Sequence, residues 1–404
     1  MSLIVQKFGG SSVRDAQRIR NVAGIIADTY RAGNQVMAVL SAQGDTTDDL
    51  IEKAREINPR ASKREMDMLL STGEQISIAL CAMALEGMGL PVVSLTAWQV
   101  GVHTTSTYSD ARIQRIDPER IQRELDKNKI VLVAGFQGVN RVGDVTTLGR
   151  GGSDTSAVAL AAAFGADLCQ IYTDVDGVYT TDPRVAGGAV KLEEITYDEM
   201  LELASQGAQV LHNRSVELAK KYRVNMEVVS SLERKPGTKV KEVVKMEKTN
   251  IAGVAKDTSI ARIAVVGLDH NPGVAFRVFS LLGRANINVD AIIQSIGRGT
   301  SKDISFTLPR ADVEEAMRVL EEEKVTLGFD HLTVEDKIAK VSIVGAGMMT
   351  TPGVAAKMFE ALYDANINIQ MINTSEIRVS VLIDEENASA AVRAVHDKFF
   401  GAEN

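Results

Sequence analysis

Apolar positions along the first half of the chain fall into two rhythms. Short unbroken apolar runs predict strands at residues 2–7, 35–40 (QVMAVL), 92–95 and 130–134 (IVLVA), with another ending at 170–173. Between them the spacing changes. Ile19, Val22, Ile25 and Ile26 recur at helical intervals and predict a helix over 15–32. Longer runs predict a helix over 66–88 and an alanine-rich one over 156–164. Strands apolar on both faces, each followed by a helix, point to an α/β fold with a mostly parallel sheet covered by helices on both sides.

The rhythm breaks at residues 230–247, which hold Pro236-Gly237 and many lysines and glutamates, so a domain boundary is expected there. Beyond it lies an internal repeat. Residues 272–295 (PGVAFRVFSLLGRANINVDAIIQS) and 352–375 (PGVAAKMFEALYDANINIQMINTS) share 12 of 24 positions at an offset of 80 residues. Each copy follows an apolar strand and leads into a further strand and helix, a βαββα unit used twice and expected to pack sheet to sheet. The expected division is 1–245 for the first domain and 246–404 for the paired region, with units at about 261–336 and about 338–404. The first unit has a closing strand near 329–334. The second ends in a helix over 388–400 and leaves that strand position unfilled. An open sheet edge leaves backbone donors and acceptors unmet, and the segment 250–256 (NIAGVAK) is the candidate to complete it.

Composition narrows the function. The chain has 404 residues, is 45% hydrophobic and carries a formal charge of −8. An acidic chain is a poor binder of nucleic acid, which demands clustered Lys and Arg. Cys81 and Cys169 both lie in apolar runs and read as buried free thiols of a reducing compartment, so a cytoplasmic location is expected. The five histidines show no ligand spacing, and no resident metal is expected. No signal-like segment and no run of about 18 apolar residues is evident, so no membrane span is expected.

Three motifs carry chemistry. Val5-Gln6-Lys7-Phe8-Gly9-Gly10-Ser11-Ser12-Val13 sets a lysine where a strand runs out, then two glycines and two serines. A backbone free of side chains, a helix N-terminus and a point charge suit polyphosphate. An ordinary strand–turn–helix capped by serine accounts for the same residues. Leu148-Gly149-Arg150-Gly151-Gly152-Ser153-Asp154-Thr155 is a second such turn, with an arginine able to clamp a carboxylate or phosphate in two-pronged fashion. Asp154 alone could be a favourable first-turn acid, but that leaves the arginine and glycines unexplained. The third stretch, residues 172–184 (YTDVDGVYTTDPR), reads either as a nucleotide-binding loop or as an Asp-Gly turn at a strand end. A calcium loop is excluded by the missing closing glutamate. Gly345-Ala346-Gly347 invites a dinucleotide-binding assignment, but Thr350 stands at the sixth position and the repeat explains the segment better.

Together with Thr72-Gly73-Glu74, these motifs and the two repeats resemble the aspartokinases, members of the amino-acid kinase superfamily with C-terminal ACT regulatory domains. The resemblance covers essentially the whole chain. It implies a three-layer α/β/α kinase sheet domain plus two α+β, ferredoxin-like ACT units. It implies transfer of the γ-phosphoryl of MgATP to the β-carboxylate of L-aspartate, with ATP and Mg²⁺ required and feedback by lysine, threonine or both. By motif match, Lys7 and Asp154 are catalytic. Lys7, Phe8, Gly9, Gly10, Ser41, Thr173, Asp174, Tyr179 and Arg184 bind nucleotide. Thr47, Glu74, Arg150, Gly151, Gly152 and Ser153 bind substrate, Arg150 gripping a carboxylate and Glu74 the ammonium. Effector pockets between the ACT units would draw on Asp269, His270, Gly273, Ala275, Asn288, Gln294, Pro352, Gly353 and Asn368. Two departures from the family pattern are Gln209, where many members carry Lys, and His212-Asn213, where His-Pro is usual. The resemblance also implies a homo-oligomer built through the ACT units, and Met246 marks a site where an internal start would yield an ACT-only subunit. Two other readings are another amino-acid kinase, such as a glutamate kinase, and a catalytically silent amino-acid sensor.

Overall fold

The computed structural model describes residues 1–208, 210–243, 251–269, 271–296, 301–349 and 351–401, with the backbone alone at 269, 296, 301 and 349. Gln209, Met246, His270, Thr350 and residue 250 of the expected strand lie outside these residues, as does the side chain of Asp269. The chain divides into two compact units. One holds residues 1–179, 191–205 and 209–247; the other holds 248–404 together with 180–190 and 206–208.

The first unit is built on an eight-stranded sheet. Its order is Glu194–Thr196, Thr238–Lys241, Met226–Ser230, Leu168–Thr173, Leu3–Phe8, Gln35–Leu40, Ile130–Ala134, Val92–Leu95. All neighbours are parallel except the Met226–Ser230 and Thr238–Lys241 pair. Alternation of side chains explains why the central strands are apolar throughout. Phe8, Val36, Ala38, Leu40, Ile130 and Leu132 pack on one face with helix Ala16–Arg31 and helix Thr72–Glu86. On the other side, helix Gly152–Ala163 packs on strands Leu3–Phe8, Gln35–Leu40 and Leu168–Thr173. Asp15 caps helix Ala16–Arg31 by accepting from Arg18 N at 2.9 Å.

Two features differ from the sequence reading. The single helix expected over 66–88 is two helices end to end, Lys63–Leu70 and Thr72–Glu86, separated at Ser71. Within Lys63–Glu86 an 18-residue window reaches the mean hydropathy (1.5) of a membrane span, a run the sequence reading did not expect. Its Leu70, Ile78, Cys81, Ala82 and Leu85 are buried in the first unit. A second, four-stranded sheet was also missed apart from its strand near 145–147, which leads into the second glycine turn: Ile113–Ile116, Val102–Thr104, Gln137–Val139 and Val145–Thr147. Strands of three or four residues are too short to establish a period of two.

The second unit contains two four-stranded antiparallel sheets, each backed by two longer helices. The first repeat forms Ile292–Ile296, Ser301–Pro309, Ile260–Asp269 and His331–Glu335, in that order. The second forms Met371–Ser375, Arg378–Asp384 and Ile338–Val344, and beside the last of these stands Gly253–Asp257. That strand pairs antiparallel from Gly253↔Val344 to Asp257↔Lys340. The first repeat is thus threaded between the edge strand and the body of the second. Ile260, Ala291, Ile338, Met371 and Leu382 form an apolar seam between the sheets, and Lys340 pairs with Asp290 across it at 2.7 Å. Residues 180–190 are integral to this unit. Thr180 O accepts from Val254 N at 2.7 Å, the Thr180 hydroxyl meets His396 Nε2 at 2.9 Å, and Val185 packs on the second repeat's core.

Candidate active site

The C-terminal ends of the central parallel strands are where an open α/β sheet gathers a ligand. Lys7 stands opposite Val39 on one side and Ile171 on the other, one residue before Leu3–Phe8 ends. Phe8 stacks on Tyr172 with centroids 4.6 Å apart, fixing that end of the sheet. Gly9 N then donates to Tyr172 O at 3.4 Å, and Gly10 opens a short helical turn, Gly10–Val13. Gly10 has no room for a side chain: a Cβ there would lie 2.9 Å from Ala42 O. The Gly9-Gly10 turn therefore presses against the loop 41–44 that follows the neighbouring strand, and Gly44 N donates to Gly10 O at 3.0 Å. Ser41 sits at the head of that loop, its N–H given to Phe8 O at 3.0 Å. Half-buried Thr47 begins the next helix, Thr46–Ile57.

Lys7 Nζ lies 2.7 Å from Asp154 Oδ1, with both side chains close to nine-tenths buried. Asp154 and Ser153 are in the first turn of Gly152–Ala163, so the Lys7 ammonium is held at that helix N-terminus. Gly151 caps this helix with φ 66°, and a Cβ there would fall 2.2 Å from His212 Cγ. The His212 ring thus closes over the second glycine turn. Burial pushes its pKa down, partly opposed by the charge of Asp154. Its Nδ1 is buried with no hydrogen-bond partner among the described residues. Arg150 is exposed on the turn, and no described residue pairs with it.

Glu74, on Thr72–Glu86, is 3% exposed. Its Oε1 accepts from Ala42 N at 3.1 Å, which ties it to the same 41–44 loop. Its Oε2 is buried and has no partner among the described residues. Burial raises its pKa to about 8, against the lowering effect of backbone hydrogen bonds. An unsatisfied acidic oxygen beside a lysine-bearing turn is the kind of group that awaits a cationic ligand. Thr173 and Asp174 follow the strand next to Lys7, Thr173 donating to Asp174 Oδ1 at 3.0 Å. Tyr179 donates to Asp176 Oδ1 at 2.7 Å, and Lys191 pairs with Asp176 at 3.2 Å.

Arg184, expected at the nucleotide, stands on the loop that follows Tyr179. Its guanidinium forms a two-pronged pair with Asp182 at the surface, and it belongs to residues 180–190 of the second unit. The loop turns back through an Asp-Pro-Arg turn, which directs the arginine along the loop itself. The expected effector residues Gly273, Ala275, Asn288 and Gln294 lie on exposed parts of the first repeat, and Pro352, Gly353 and Asn368 on those of the second. Gly273 and Gly353 occupy the same place in both, at φ 92° and 90° before the first helix of each repeat. Among the described residues no three His, Cys, Asp or Glu side chains gather as a metal cage.

The residues that sequence reasoning missed are His212 and Asp67, the latter buried beneath the second glycine turn. Asp67 sits in no motif, and His212 entered only as a departure from the family pattern, with no role given to it. A signal for its place was the glycine at 151, whose missing side chain is the space that the ring fills.

Known proteins match this arrangement over its full length. Residues 2–230 fit the amino acid kinase family, and residues 263–323 and 341–399 fit the ACT domain. The aspartokinase of Corynebacterium glutamicum is 51% identical over 99% of this chain and 96% of its own length. The chain belongs to the aspartokinases. Escherichia coli aspartokinase III, crystallised with aspartate and ADP in its R-state, superposes with a TM-score of 0.84 at 26% identity, covering 98% of this chain and 100% of its own. The same enzyme crystallised with lysine and aspartate in its T-state gives 0.73 at 26% identity, over 98% and 99%. As an aspartokinase, the chain carries a kinase domain and ACT domains, and the tandem repeat found in its sequence is the ACT pair.

Proposed function

We propose that this enzyme transfers the γ-phosphoryl group of MgATP to the β-carboxylate of L-aspartate, giving 4-phospho-L-aspartate and ADP. This is the first step of the lysine, threonine and methionine branch, held in check by end-product amino acids. The observation that carries the reading is the Lys7–Asp154 ion pair at 2.7 Å, set between two glycine turns at the strand ends. A carboxylate nucleophile is already ionised at neutral pH, so no general base is needed. The barrier is the approach of one anion to another, and catalysis rests on positioning and charge neutralisation. Lys7 meets the charge on the transferred phosphoryl, with Asp154 holding its ammonium in place. The bare backbone of Gly9, Gly10 and Gly152 lets the phosphates come close, and hydroxyls of Ser41, Thr47 and Ser153 face the phosphates and the nucleophile. Arg150 and Gly151 take the α-carboxylate of aspartate, and Glu74 its ammonium. Thr173, Asp174 and Tyr179 line the nucleotide. Magnesium arrives with ATP as part of the substrate and spreads the phosphate charge.

For the ACT pair we infer lysine or threonine as effector, in line with the lysine complex of the E. coli relative, and self-association through the ACT units. Two buried free thiols agree with a cytoplasmic protein. The test traps the acyl phosphate with hydroxylamine, using aspartate or glutamate as acceptor, with and without lysine and threonine. Hydroxamate from aspartate that falls on adding an effector is expected. Preference for glutamate, or no product, would overturn the reading. A second polypeptide starting at Met246, abolished by Met246→Leu, would establish the ACT-only subunit; its absence from cells expressing the gene would exclude it.

A further inference from the structure

Asp67 is fully buried on helix Lys63–Leu70, yet among the described residues no lysine, arginine or histidine pairs with it. A buried carboxylate persists only where hydrogen bonds replace its hydration. Here four donors do so. Ser109 N and Thr147 N reach Oδ2, each at 2.9 Å. The hydroxyls of Ser109 and Thr147 reach Oδ1 at 3.1 and 2.8 Å. Ser109 is held at φ 66°, a left-handed conformation that residues other than glycine avoid.

The two segments that Asp67 grips are the supports of the second glycine turn. Thr147 comes three residues before Arg150. Ser109 O lies 3.1 Å from where a Cβ on Gly149 would stand. Ala111 N donates to Thr147 O at 2.9 Å, so the segments are also joined to one another. Arg214 binds the same pair independently, donating to Leu148 O at 2.7 Å and Ala111 O at 2.6 Å. Going the other way along the chain, helix Lys63–Leu70 passes through Ser71 directly into the helix that carries Glu74. Asp67 is thus the joint between the segment bearing Glu74 and the turn bearing Arg150.

We propose that Asp67 is a positioning residue for the amino-acid substrate: it fixes the Arg150 turn relative to Glu74 and so sets the discrimination between aspartate and its longer homologue. The inference rests on the reading above that Arg150 and Glu74 hold the substrate's carboxylate and ammonium. A carboxylate can accept all four bonds at once, whereas an amide offers one acceptor oxygen and turns its NH₂ toward donors. Asp67→Asn is therefore expected to raise the KM for aspartate about ten- to hundredfold, the range for hydrogen bonds to a charged group. The KM for ATP should stay within about twofold, and the ratio of aspartate to glutamate kcat/KM should fall. Ser109→Ala and Thr147→Val each remove one hydroxyl donor and keep the backbone ones. They should raise the aspartate KM about two- to tenfold with the same asymmetry, and they carry the test if Asp67→Asn does not fold. Unchanged aspartate KM in the folded variants, or equal rises for aspartate and ATP, would overturn the proposal. Failure of the wild-type enzyme to phosphorylate aspartate would instead remove the functional reading beneath it.

Discussion

Lys7 pairs with Asp154 in a largely buried setting, so Lys7→Ala should cut turnover about 10²–10³-fold, the cost of one lost charge-stabilising donor, with the circular dichroism spectrum unchanged. Arg150→Lys keeps the charge but loses the planar fork; initial-rate kinetics should show the aspartate KM rising far more than that for ATP. A shift in ATP dependence instead would assign Arg150 to the phosphates. Glu74 brings pH dependence. Its folded pKa of about 8 lies above the ordinary glutamate value of 4.5, so between those values the folded protein binds more protons than the unfolded one. Stability from this group is present below about pH 4.5 and declines as pH rises toward 8. Thermal melts across that window should slope downward, and Glu74→Gln should flatten them. Binding the substrate ammonium needs the ionised form, so the aspartate KM should fall as pH approaches 8. At this scale the sequence spoke through residues whose chemistry has few other uses: a lysine before two glycines, an arginine among three. Asp67 stayed silent, and His212 showed only as a departure from the family pattern. An aspartate on a helix ordinarily reads as a solvated charge, and the donors that explain Asp67 come from residues 109 and 147.

Among elements, the central strands could be read because a parallel strand buried on both faces is apolar throughout. Of the short sheet only the strand near Val145–Thr147 could, and the break at Ser71 could not, since neither Ser71 nor its neighbours Leu70 and Thr72 is a glycine or proline. The turn into Gly152–Ala163 allows a prediction of its own. Gly151→Ala must adopt φ 66° and meet the His212 ring. It is expected to destabilise the protein by at least ~1 kcal/mol from backbone conformation alone, seen as a lower urea midpoint. Pairing it with His212→Ala should restore part of the loss by removing the clash. Strand Gly253–Asp257 supplies another. A regulatory fragment starting at Arg262 exposes the Ile338–Val344 edge and should aggregate on size-exclusion chromatography, whereas one starting at Met246 retains the partner strand. The repeat left one strand position empty, and an empty edge is legible as a deficit in backbone pairing even when the residues that fill it are unremarkable in pattern.

Across the whole molecule, the repeat made the ACT pair legible, since two copies 80 residues apart declare one unit used twice. The assignment of residues 180–190 to the second unit was not legible, because TTDPR reads as a polar turn wherever it docks. This placement has a consequence for how the protein is made. Thr180 meets His396, 216 positions later in the chain, and Gly253–Asp257 waits for Ile338–Val344. A ribosome extends the chain at about 5–20 residues per second. The loop that continues the proposed nucleotide stretch therefore hangs without its final partner for roughly ten seconds or more, until residue 396 has been added. A nascent chain can fold the kinase sheet early, but residues 180–190 settle only once helix Ala388–Phe400 has been made. The synthesis of that helix is thus the moment at which this loop acquires its native contacts, and a message truncated before codon 396 yields a chain in which it never does.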